Sequence, residues 1–342
     1  MVLLSLLPLV FLLALVLTGG LRHYSLKRGV IDIPNSRSSH TVPTPRGGGL
    51  AIVMSYLLAV LLLGFSDLVE WNLVIAIFGS GAGVALLGFL DDHGHIAARW
   101  RLLGHFLAAI WVLFWMKGLP PLAIWGHHLE LGWVGNVVAA FYLVWLLNLY
   151  NFMDGIDGIA SVEAICVCFG GVWLLGISTA GWFSQGIWLS GALICAVTGF
   201  LCWNFPPARI FMGDAGSGFL GIVLGALSLQ AAWAEPRLLW GWLILLGVFI
   251  VDATFTLMRR LLRGDKVYEA HRSHAYQYAA RQAGRHLPVT CAVVFINLIW
   301  LFPLSLLVAV GYLDGVIAIL IAYAPLLALA VKFHAGEPEK KP

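Results

Sequence analysis

Charge is what this 342-residue sequence has least of. Only 11% of its residues are Asp, Glu, Lys or Arg, against about 25% in soluble domains. It has no acidic tail and no long basic run, and its net charge is only +3, so no nucleic-acid partner is expected. Cysteine is also sparse. The five (Cys166, Cys168, Cys195, Cys202 and Cys291) lie in or beside apolar stretches. None forms a C-x-x-C pair or stands at zinc spacing from a histidine, which argues against a disulfide framework or a zinc site. Apolar side chains, by contrast, make up 61% of the chain. A soluble fold of this length has too little interior to hide them, so most must face lipid.

Crossing about 30 Å of hydrocarbon takes roughly 20 apolar residues as a helix. Eleven segments qualify, at approximately 2–20, 48–64, 73–90, 103–119, 134–150, 159–177, 182–201, 217–233, 239–258, 290–309 and 312–332. The runs are continuous, not alternating, which favours helices over a barrel. The first lacks a basic leader and ends on Thr18-Gly19-Gly20, a poor cleavage site, so it is expected as a helix and not a signal peptide. The expected fold is an all-α polytopic bundle of about eleven transmembrane helices, a single integral membrane domain over 1–342. With eleven spans, 18 of the 20 Lys and Arg residues fall on one side, only Lys117 and Arg237 on the other. Excess basic charge marks the cytoplasmic face. The amino terminus is therefore expected outside and the carboxyl terminus inside, with loops 21–47, 91–102, 148–158, 202–216 and 259–289 forming a cytoplasmic active-site face.

The chemistry-bearing residues concentrate on that face. Asp91-Asp92 end the third span. Asn148, Asn151, Asp154 and Asp157 recur every three residues at the end of the fifth, a stripe on one helix side. Polar stripes at a membrane-helix end cost desolvation unless they face a cavity or partner. Asp214 lies in Phe211-Met-Gly-Asp214-Ala-Gly-Ser-Gly218, where small residues admit close backbone approach at a helix start. His271-Arg272-Ser273-His274 sits in the long basic loop. Taken singly, each has a plain reading as a solvated helix end, tight packing or an interfacial histidine. Together, five carboxylates from three loops would repel one another unless a cation neutralised them. Oxygen donors without a Cys/His set suit Mg²⁺, with Mn²⁺ as the alternative, usually bound with substrate phosphate. Glu163 and Asp252 lie roughly 10 Å inside the membrane from this face, either as functional acids or as structural pairs.

These motifs resemble the polyprenyl-phosphate N-acetylhexosamine-1-phosphate transferases of glycosyltransferase family 4, relatives of the phospho-N-acetylmuramoyl-pentapeptide transferase. The similarity runs from Asp32-Ile-Pro-Asn35 and Pro43-Thr-Pro-Arg46-Gly-Gly-Gly49 through Asp91-Asp92, Asn151-Phe-Met-Asp154-Gly-Ile-Asp157-Gly158 and Gly213-Asp214 to the His271 loop. The topology is similar to that of the bacterial branch that initiates O-antigen and related lipopolysaccharide synthesis. The resemblance implies an enzyme of the bacterial inner membrane that moves a sugar 1-phosphate from a UDP-sugar to undecaprenyl phosphate and releases UMP. It implies Asp91, Asp92, Asp154 and Asp157 as catalytic residues, and Asp214 with Asn151 as the metal site. Substrate contacts fall to Asn148, Arg46, His40, His271, Arg272 and His274. The chain departs from the family pattern in having His95 at the fifth position of its Asp-rich motif and no consecutive histidines in the loop.

Phosphoryl transfer asks a protein mainly for alignment and charge neutralisation. A phosphate monoester is largely deprotonated at neutral pH, so a single in-line attack by the lipid phosphate is expected, with Asp91 positioning more than abstracting. An aspartyl-phosphate on Asp154 or Asp157 is the rival. Among other classes, a secondary transporter predicts midplane acids and broken helices in repeated halves, and the sequence shows no repeat. An intramembrane prenyltransferase needs two Asp-x-x-Asp sites, whereas only Asp154/Asp157 has that spacing. A CDP-alcohol phosphotransferase needs an Ala-Arg and a downstream Asp that are absent. Apolar periodicity leaves a homodimer open, and the sequence does not choose the sugar.

Overall fold

The computed structural model describes residues 2–34, 40, 42–94, 96–179, 181–265 and 271–338. Asn35, Arg37, His95, Lys266, Lys340 and Lys341, which entered the reading above, lie outside the described residues. Fourteen α-helices occur among the described residues: α1 (Val2–Arg28), α2 (Gly49–Phe65), α3 (Trp71–His93), α4 (Ala98–Trp115), α5 (Gly132–Met153), α6 (Ile159–Thr179), α7 (Gln185–Asn204), α8 (Asp214–Ala234), α9 (Leu238–Leu245), α10 (Gly247–Leu262), α11 (Ala275–Ala283), α12 (Leu287–Ile296), α13 (Phe302–Ala309) and α14 (Gly315–Lys332). Two short antiparallel hairpins complete them: β1 (Ile31–Asp32) with β2 (Thr44–Pro45), and β3 (Leu122–Ile124) with β4 (His127–Leu129).

All eleven apolar segments fall on helix. Eight helical stretches are long and apolar enough to cross a membrane, and the pair α9–α10 would make nine. The remaining two are α2, only 17 residues long, and α4, which carries Arg99 and Arg101 in its first turn. The protein is thus an all-α polytopic membrane protein. Large apolar side chains on its perimeter, among them Val16, Leu86, Leu107 and Phe114, are exposed, as a lipid-facing surface requires.

Helix α8 forms the axis of the bundle, and every residue from Ala215 to Ala232 is buried. Its glycines let neighbouring backbones approach, the usual device of membrane helix packing. A Cβ at Gly216 would stand 2.7 Å from Gly49 Cα, and one at Gly221 would stand 2.6 Å from Leu147 Cα. On α3, a Cβ at Gly88 would meet the Asp214 carbonyl oxygen at 2.6 Å. These contacts press the start of α2 and the later turns of α3 and α5 against the first turns of α8.

Two breaks depart from simple spans. The segment expected at 239–258 is not one straight helix: α9 and α10 meet at 69° across Leu246. Gly247 admits the Tyr323 ring at this corner, and the hydroxyl of Tyr323 donates to the Leu243 carbonyl at 2.7 Å. Between α12 and α13, residues Asn297–Leu301 form a π-helical turn. Pro303, the second residue of α13, has no N–H to continue the α-helical ladder.

Candidate active site

One end of the bundle collects the ends of α3 and α5 and the starts of α4 and α8. Gly213 precedes α8 with φ of 79°, in the left-handed region where glycine is favoured. A Cβ there would also stand 2.8 Å from Asp92 Oδ2. Freed of that clash, the Asp214 N–H donates to Asp92 Oδ2 at 3.1 Å, so the end of α3 caps the start of α8 with a carboxylate.

Two arginines hold the acids together. Arg46 Nη2 lies 2.5 Å from Asp92 Oδ1 and 2.7 Å from Asp214 Oδ1. Arg101 pairs through Nη1 with Asp91 Oδ2 and stands 4.0 Å from Asp214 Oδ2. Asp91 Oδ1 also accepts the Ile96 N–H at 2.8 Å. Burial opposes the charge on Arg46, but Asp214, Asp92 and Asp32 outweigh it and raise the pKa of its guanidinium further. Arg46 and Arg101 offset part of the negative charge that these carboxylates gather.

A cavity of about 350 Å³ opens beside this cluster, lined by Asp32, His40, Arg46, Asn151, Asp154, Asp157, Asp214, Gln277 and His286 among others. A second, of about 590 Å³, shares His40, Asp157, Phe211 and His286 with it and adds Arg281 and Arg285. Asn151 borders the first, with Oδ1 accepting from the Ser217 hydroxyl at 3.2 Å. Burial, then the Asp214 carboxylate, pushes Asp154 well above the usual carboxylate range, against the pull of Arg46. Asp157 is held on both oxygens: Oδ1 is 3.1 Å from His286 Nδ1, and Oδ2 accepts the Ala208 N–H at 3.0 Å. The ring of His40 packs edge-on to Phe211, and its buried Nε2, 4.0 Å from Asp32 Oδ1, has no hydrogen-bond partner among the described residues.

The expected residues therefore gather, but in ranks. Asp154, Asp157 and Asp214 face the cavity, with Arg46, His40 and Asn151. Asp92 lies behind Asp214, its side chain 6% exposed, and Asp91 borders only a crevice of about 20 Å³ with Asp214 and Asn151. Asn148 lines neither cavity: its amide donates to the Val144 carbonyl at 2.7 Å and lies 3.4 Å from His105 Nδ1. His271, Arg272 and His274 stand beside the cavity and are not among its lining residues. His274 is 2% exposed, stacked between His271 and Tyr276. Burial, with His274 and Arg260 nearby, pulls His271 down to about 3, so its imidazole is neutral at pH 7.

Sequence reasoning missed several participants. Arg101 entered it only as basic topology and His286 not at all, and His286 lies 129 residues from its partner Asp157. Gln277 reaches the cavity from α11, and the spacing His274-x-x-Gln277 carried a signal: the two residues form a capping box. The two intramembrane acids prove to be paired. Asp252 caps the start of α11 by accepting the Ala275 and Tyr276 N–H groups, both at 3.0 Å. Glu163 accepts the Asn297 amide at 2.7 Å, at the π-helical turn.

Among the described residues no three His, Cys, Asp or Glu side chains converge into a ready metal cage. The donor chemistry nevertheless fits Mg²⁺: two carboxylates already bracket one cationic nitrogen, the donors are all oxygens, and Mg²⁺ commonly takes one or two carboxylates plus phosphate.

The site is thus a set of acids and arginines gathered over a cavity at one end of a helical membrane bundle. The description Glycosyl transferase family 4 matches residues 74–232, which hold every carboxylate of the cluster. A probable undecaprenyl-phosphate N-acetylglucosaminyl 1-phosphate transferase of Bacillus subtilis is 31% identical over 78% of this chain and 74% of its own. The undecaprenyl-phosphate alpha-N-acetylglucosaminyl 1-phosphate transferase of Thermotoga maritima is 27% identical over 84% of this chain and 86% of its own. A phospho-N-acetylmuramoyl-pentapeptide-transferase of Bacillus licheniformis is 31% identical over 63% and 68%. The chain belongs to glycosyltransferase family 4.

Proposed function

We propose that this protein transfers N-acetylglucosamine 1-phosphate from UDP-N-acetylglucosamine to undecaprenyl phosphate, releasing UMP and opening synthesis of a cell-surface polysaccharide such as O-antigen. The observation that carries this reading is the convergence of Arg46, Asp154, Asp157 and Asp214 on one cavity at the end of the bundle. The choice of sugar rests on the relatives from Bacillus subtilis and Thermotoga maritima, whose names specify N-acetylglucosaminyl 1-phosphate transfer. We place this end on the cytoplasmic face of a bacterial inner membrane, in a single membrane domain of eleven spans with the amino terminus outside. The one-sided distribution of Lys and Arg supports that placement.

Mg²⁺ held by Asp214 and Asn151, with Mn²⁺ as the substitute, would neutralise charge on the donor diphosphate. The chain's own residues do the rest. Arg46, at the cavity wall, offers a planar donor fork to phosphate oxygens. Asp154, driven towards its protonated form, can donate a hydrogen bond to the same group. Arg101 keeps Asp91 and the back of the cluster charge-balanced. The single displacement is favoured over an aspartyl-phosphate because neither candidate nucleophile is free: burial favours the protonated form of Asp154, and both oxygens of Asp157 are engaged.

Purified protein incubated with undecaprenyl phosphate and a panel of UDP-sugars tests this directly. UMP release and lipid-linked product should be greatest with UDP-N-acetylglucosamine. The donor reading fails if another sugar nucleotide turns over and this one does not.

A further inference from the structure

Arg46 has a side chain that touches two carboxylates and a backbone that is tied elsewhere. Its N–H donates to the Val30 carbonyl at 3.3 Å, and its carbonyl accepts the Ser25 hydroxyl at 3.1 Å. Gly47 follows with φ of 97° and open space around it. The guanidinium bridges Asp92 and Asp214 yet remains 35% exposed, on the wall of the 350 Å³ cavity. Its side chain can therefore turn into the cavity without moving the backbone. Arg101 differs: it is anchored to Asp91 and lies 4.0 Å from Asp214.

The charge count makes this difference consequential. Asp91, Asp92 and Asp214 carry three negative charges, and Arg46 and Arg101 carry two positive ones. A divalent cation added to that set would face a guanidinium directly across Asp214. With Arg46 withdrawn, two net negative charges match one divalent cation.

We propose that Arg46 is an exchangeable counter-ion: it clasps Asp92 and Asp214 in the resting protein, yields Asp214 to a divalent cation, and then holds the diphosphate of a nucleotide donor. This rests on the metal-dependent transfer reading above and adds to it an order of binding. Cation and nucleotide should bind synergistically, because the nucleotide gives the released guanidinium a new partner.

The test is Mn²⁺ binding, followed by electron paramagnetic resonance on the full-length protein in nanodiscs, with and without UDP-N-acetylglucosamine. In wild type, the nucleotide should tighten Mn²⁺ binding by about 5- to 100-fold, within the usual range of coupling between sites. Arg46→Gln should bind Mn²⁺ about tenfold more tightly than wild type without nucleotide, and should gain little when nucleotide is added. Equal or weaker Mn²⁺ binding in folded Arg46→Gln overturns the proposal while leaving the transfer reading intact. Asp214→Asn should abolish the signal in both backgrounds. Mn²⁺ binding that ignores Asp214 sinks both the proposal and the metal assignment beneath it. If Arg46→Gln does not fold, Arg46→Lys carries the test. A lysine ammonium cannot present the bridging fork, so Mn²⁺ binding should still tighten, by a smaller factor; unchanged affinity overturns the proposal.

Discussion

Asp252 Oδ1 lies 3.3 Å from His274 Nδ1, and the same carboxylate accepts the first N–H groups of α11. A single acid on the broken helix α10 thus fixes both the histidine loop and the helix that delivers Gln277 to the cavity. Thr256 adds a fourth bond at 3.1 Å.

Replacing that acid should therefore damage order before chemistry. Asp252→Ala leaves a buried histidine and two backbone donors without their acceptor, a loss of about 3 kcal/mol. Melting in nanodiscs should show it, with reduced UMP release. Asp252→Asn retains one acceptor oxygen and should fall between alanine and wild type. An alanine variant of wild-type stability would disprove the anchoring role.

Glu163 should behave as a structural partner of Asn297. Glu163→Gln keeps a carbonyl oxygen to accept the Asn297 amide and should retain activity near wild type. Glu163→Ala opens a buried void and should cost about 2–4 kcal/mol, again read as melting temperature. A glutamine variant that folds but fails to turn over would mark Glu163 as part of the reaction.

His271 makes stability pH-dependent in a defined direction. Its native pKa is about 3, against the ordinary 6.5, so the unfolded chain binds this proton first as pH falls. Its contribution is present above about pH 6.5 and is lost progressively down to about pH 3. His271→Gln should flatten the stability profile in that window. An unchanged slope would show that the imidazole titrates normally.

Much of the architecture could be read from the chain because lipid makes long apolar runs unambiguous: all eleven fall on helix. The break at Leu246 could not, since the residues around it are as apolar as any straight span and the corner depends on Tyr323, far along the sequence. The gathering of Asp91, Asp92, Asp154, Asp157 and Asp214 was also legible, because one-sided acids in a membrane protein must meet a cation. What met them was hidden. Arg101 read as a topology signal and Arg46 as a substrate contact, and the bridge from Arg46 to Asp214 joins residues 168 apart. Asn148 shares the stripe of Asn151, but α4 packs over it and His105 sits beside it.

Gly213 offers a further check on the cluster. Alanine there would be strained at φ of 79° and would press on Asp92. Gly213→Ala should lower turnover at least about tenfold, given how steeply such reactions depend on placement. Wild-type turnover would show that the capped start of α8 is dispensable.

The central claim is that a sugar leaves its nucleotide together with a phosphate. UDP-N-acetylglucosamine labelled with ³²P at the β-phosphate, given to purified protein with undecaprenyl phosphate, follows that phosphate directly. The account predicts label in the solvent-extractable lipid, unlabelled UMP in the water phase, and loss of both on Asp214→Asn. Labelled UDP as the water-soluble product would mean transfer of the sugar alone and would contradict it.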